Sequence, residues 1–242
     1  MPNQNCQPAL GAFWDGISLN VKFFMDEHGM DWYDKALEHF GARENCQALL
    51  CIEYFEELEP ESEPAKLLKA NILIGLYRFT DAQQILDDFP VELPRPERLD
   101  LAIRKHYYQV RGDLLDAQGF YIEAADYYQK IIDLEPGHTL GYIMKGACLA
   151  KAGEFETAKE LHDLATELEG DPDEAYLNLG LIYRAEGKLY AAKKAFVEAL
   201  KISPEYFEAQ DGLNDVNQAL ELEKEIYELR LKNNPNNDEQ DL

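Results

Sequence analysis

The side chains that could do acid–base, nucleophilic or metal chemistry are five histidines, four cysteines and 47 carboxylates in 242 residues. The histidines stand at 28, 39, 106, 138 and 162, too scattered to suggest a shared site. The cysteines stand at 6, 46, 51 and 148. None forms a CxxC pair, so neither a zinc nor a redox motif is supported, and reduced thiols are expected. There is no Walker glycine loop, no GxGxxG after a strand, no HExxH and no GxSxG. Glu56, Glu57, Glu59, Glu61 and Glu63 gather around Pro60 and read as a solvated run rather than a catalytic pair. The tyrosine pairs 107–108 and 127–128 suit core packing and need no base-stacking role. No catalytic constellation emerges, so the expectation is a protein that is not an enzyme and uses no cofactor or metal.

Net charge points the same way. With 47 acids against 23 bases the chain carries −24, which repels phosphate backbones and anionic lipid. Nucleic acid and the membrane surface are discounted as partners, whereas a basic protein segment would be steered in. No basic n-region precedes an apolar run at the N-terminus, and no window approaches 18 continuous apolar residues. A cytoplasmic protein without membrane insertion is expected.

The elements that must position any site are helices with a repeating pattern. In Asp173–Tyr206, Tyr176, Gly180 and Tyr183 share one helical face by four-three spacing. Ala192, Phe196 and Ala199 repeat that spacing on a second helix, Gly187 marks the turn between them, and Pro204 closes the unit. One step of 34 residues back, Thr139–Pro172 places Tyr142, Gly146, Leu149, Gly153, Ala158 and Ala165 in register, with His162 in place of the ring of Phe196. Another step, Lys105–His138, places Tyr108, Gly112, Leu115, Gly119, Ala124, Tyr128, Ile131 and Pro136. Two degraded copies precede these, at 29–62 and at 63–104. In the second, Tyr77 takes the glycine place, and an eight-residue expansion includes the proline-rich stretch 90–98. That stretch is predicted to be an extended loop, either for binding or as tolerated surface chain.

The ends do not repeat. Within 1–28, Leu10, Phe13, Trp14, Ile17, Val21 and Phe24 form a helical stripe. It is expected to cap the array, to lie in its groove, or to join two chains. Residues 207–232 read as one capping helix, longer than a repeat helix, whose excess length could mediate dimerisation; 233–242 reads as a disordered tail.

The 34-residue pattern resembles the tetratricopeptide repeat. The resemblance implies an all-α fold, a right-handed α-solenoid of about five helix–turn–helix repeats with terminal capping helices, used for binding other proteins. In that family, positions five, nine and twelve of each repeat line the concave surface. Here that stripe gives Ile143, Ala147 and Ala150 in 139–172, flanked by Leu140, Met144 and Lys151. It gives Leu177, Leu181 and Arg184 beside Asn178, then Gln109, Asp113 and Asp116, then Leu67, Asn71 and Ile74. Such a partly apolar groove suits a partner peptide or helix, the chain's own N-terminal segment, or the next superhelical turn. Family members that clamp the acidic C-termini of heat-shock chaperones carry lysine at position five and asparagine at nine. Position five here is Tyr33, Leu67, Gln109, Ile143 and Leu177, so that clamp is disfavoured. The reading is an interaction scaffold, adaptor or chaperone-like protein. The alternative is a structural protein that forms a homo-oligomer through its terminal helices.

Overall fold

The computed structural model describes residues 27–92 and 97–233. Every regular element among them is a helix. In chain order these are α1 (Glu27–Gly41), α2 (Asn45–Leu58), α3 (Glu63–Gly75), α4 (Phe79–Asp87), α5 (Glu97–Ala117), α6 (Tyr121–Leu134), α7 (Thr139–Lys151), α8 (Phe155–Ala165), α9 (Asp173–Ala185), α10 (Leu189–Ile202) and α11 (Phe207–Asn233). The first ten form five hairpins stacked into an α-solenoid, and α11 closes it against α9 and α10. Among the described residues no helix is long and apolar enough to cross a membrane. The stripe Leu10–Phe24 and the tail 234–242 lie outside the described residues.

Each hairpin turns by the same backbone device. A residue with left-handed φ recurs at Arg43 (62°), Tyr77 (60°), Gly119 (86°), Gly153 (89°) and Gly187 (74°). The next residue's N–H donates back across the turn: Glu44 to the carbonyl of His39, Arg78 to Leu73, Phe120 to Leu115, Glu154 to Leu149 and Lys188 to Tyr183. These bonds satisfy carbonyls that the ending helix leaves without a donor. In the first hairpin the residue that turns is Arg43. Gly41, the glycine of that stretch, lies two residues earlier at the end of α1.

The core of each hairpin rests on one pair of positions. A Cβ added to Gly180 would fall 2.5 Å from the Phe196 ring. At Gly112 it would meet Tyr128 at 2.6 Å, and at Gly146 it would meet His162 at 2.7 Å. Glycine therefore makes room for a ring lying flat on the first helix. In the two N-terminal hairpins the same places hold Ala36 with Ile52 and Ala70 with Leu86, each pair fully buried in a common cluster. A methyl is gained on one helix where ring volume is lost on the other.

The expansion before the third hairpin is not spent where the prolines suggested. Helix α5 has 21 residues against 13 in α7 and 13 in α9, a surplus of eight. The surplus forms extra turns at its start, beginning at Glu97 inside the stretch expected to be loop. Apolar burial holds them there. Ile103 and Phe89 are buried in one cluster with Val91 and Leu99 against it, and Phe89 stacks on Tyr107 at 5.2 Å. Arg111 adds an ion pair to Asp87 across the junction.

Candidate protein-interaction groove

The first helices of successive hairpins share one wall, and a cavity of about 990 Å³ opens on it. Asn71 and Ile74 come from α3, and Asp113 and Asp116 from α5. Met144, Ala147 and Lys151 come from α7, and Leu177, Asn178, Leu181 and Arg184 from α9. Helical spacing brings positions nine and twelve of neighbouring hairpins side by side, which makes a continuous inner strip.

Five expected groove residues do not line the cavity, among them Ala150 and Leu67, the latter fully buried in the core of the second hairpin. Ile143 is only 3% exposed and packs between Ala165 of its own hairpin and Ala175 of the next. Gln109 is 1% exposed, and Leu140 packs partly buried against the third and fourth hairpins' core. The expectation for position five fails as a rule. Tyr33, Leu67 and Leu177 are buried there too, and of the five only Leu177 reaches the cavity. Position five is instead spent on packing within the array. In α7 the cavity lining begins at position six, with Met144. Tyr206, Phe207 and Asp211 also line it. Repeat periodicity does not extend to them, since they belong to the junction with α11.

The floor is electrostatically structured. Lys151 pairs with Asp116 at 2.6 Å, and Arg184 reaches Asp215 of α11 at 3.1 Å. The Tyr128 hydroxyl donates to Asp113 at 2.7 Å. Burial nevertheless pushes the Asp113 carboxyl up to about 7, outweighing that bond and the nearby Lys151. Burial and Asp116 also push the Cys148 thiol far up, so it is no nucleophile at neutral pH. The amide nitrogens of Asn71 and Asn178 have no hydrogen-bond partner among the described residues. Among those residues no group of three or more His, Cys, Asp or Glu could hold a metal ion.

A family model described as "Tetratricopeptide repeat" matches residues 173–206. That hairpin matches a tetratricopeptide repeat, and the array as a whole has the tetratricopeptide-repeat fold. Solved tetratricopeptide-repeat structures share its fold. One from Parabacteroides merdae superimposes with a TM-score of 0.66 at 16% identity, covering 85% of this chain and 76% of that one. A thermophilic one from Thermus thermophilus gives 0.62 at 16% identity, covering 78% and 99%. Among curated proteins, "RNA polymerase II-associated protein 3" of Homo sapiens is 30% identical over 117 residues, 48% of this chain. The chain spans 18% of that relative's length.

Proposed function

We propose that this tetratricopeptide-repeat chain is a non-enzymatic scaffold that holds a peptide or helix of a partner protein in its inner groove. The observation that carries the reading is the cavity wall where half-buried Ala147 and exposed Leu181 lie beside the core residues Met144 and Leu177, apolar side chains that line the groove. The surrounding carboxylates favour a partner with basic residues at the rim of the contact. Similarity to "RNA polymerase II-associated protein 3" agrees with a role in association, without naming a partner here.

The test uses Leu181→Glu with Ala147→Glu, both on the cavity wall and neither fully buried. Proteins captured by the wild-type chain from its native lysate are identified by mass spectrometry. The captured segment is then titrated as a synthetic peptide. The double variant should keep its circular dichroism and thermal midpoint and lose at least about tenfold in affinity, roughly 1.4 kcal/mol. Equal affinity in a folded double variant removes this site.

A further inference from the structure

Helix α11 is 27 residues long, but its buried residues, Ala209, Gly212 and Val216, all lie in its first ten. Beyond them an apolar line remains uncovered: Leu222 is 57% exposed, Ile226 39% and Leu229 57%. At about 100° per residue this line sits more than about 100° around the helix from the buried seam. It is therefore not a continuation of the surface that caps the solenoid, and among the described residues it stays exposed.

The line has the spacing of a coiled-coil seam. Ala219, Leu222, Ile226 and Leu229 follow steps of three, four and three, as a, d, a and d of a heptad. That register places Glu223 and Arg230 at e, and Glu225 and Lys232 at g. In an antiparallel pair of identical helices e faces e and g faces g. Glu223 then meets Arg230 of the other copy, and Glu225 meets Lys232, each twice by symmetry. Antiparallel pairing also sends the two solenoids to opposite ends, which limits repulsion between chains of net charge −24.

From this charge pattern we infer that the outer half of α11 pairs antiparallel with the same segment of a second copy, making the protein a dimer with its two grooves held apart. The inference is independent of the groove's role.

Sedimentation equilibrium of the full chain over a range of concentrations tests it. The wild type should show twice the chain mass, and Leu222→Glu with Leu229→Glu should show the chain mass with unchanged thermal midpoint. A wild type that stays monomeric, or a dimer that survives the double substitution, overturns the pairing. Orientation has its own test. Lys232→Glu and Glu225→Lys should each raise the dimer dissociation constant at least about threefold, and mixing the two variants should restore it. In parallel pairing Lys232 has no such partner, so failure of the mixture to recover overturns the antiparallel arrangement.

Discussion

At the scale of single residues, the most consequential side chain is His162. It takes the place held by Tyr128 and Phe196 in the flanking hairpins, lies flat on Gly146, and is fully buried. Neither ring nitrogen has a hydrogen-bond partner among the described residues. Burial pushes its pKa down to about 4, so the folded state holds it neutral. The unfolded chain takes up the proton near 6.5. Stability is therefore lost as pH falls from about 6.5 toward 4, because there the unfolded state binds more protons. His162→Phe should stabilise the protein by roughly 1–3 kcal/mol at pH 7. Its advantage should grow at pH 5, as thermal melts at the two pH values will report. The spacing of residues 139–172 already marked position 162 as a ring site. That both nitrogens would go without partners was not legible, because it depends on what the opposing helix brings.

At the scale of elements, the hairpins were readable because glycine, alanine and ring residues recur at intervals that only a stacked helix pair requires. The turns were readable in three hairpins from glycine. In the other two, Arg43 and Tyr77 adopt the same left-handed conformation without it, a cost of about 1–2 kcal/mol each that the surrounding bonds impose. The start of α5 was not readable. Proline disfavours helix in its predecessor, yet the helix begins at Glu97 inside the proline-rich stretch, directly after its last proline, because Leu99 and Ile103 then fall on a face that Phe89 covers. Phe89→Ala should remove that cover and cost about 3–5 kcal/mol in urea unfolding. The loss should appear first as faster amide exchange in residues 97–104. A substitution without such an effect would mean that the extra turns stand by themselves.

At the scale of the whole molecule, the inner strip was legible only in part. Eleven of the sixteen expected groove residues line the cavity, while Leu67, Gln109, Leu140, Ile143 and Ala150 do not. The difference reflects how closely successive hairpins stack, a property of the array that no single repeat encodes. The cavity also sets a pH response opposite to that of His162. Asp113 has its pKa raised to about 7 from an ordinary value near 3.8. Its contribution to stability is fully present below about 3.8 and is lost as pH rises through about 7, because the unfolded state gives up its proton first. Asp113→Asn retains an acceptor for the Tyr128 hydroxyl and should raise the thermal midpoint at pH 8 while leaving it unchanged near pH 3.5. An equal rise at both values would assign the effect to packing instead of ionisation.

The exchange of volume between the two helices of each hairpin also constrains how such an array can diverge. A hairpin built on Gly180 and Phe196 cannot drift by single steps toward one built on Ala70 and Leu86. Alanine arriving first collides with the ring, and leucine arriving first leaves a void over the glycine. Both intermediates are less stable than either end, so the two sites are coupled in descent as they are in space. In this chain the border between the alanine pairs of the N-terminal hairpins and the glycine pairs of the rest falls between whole hairpins.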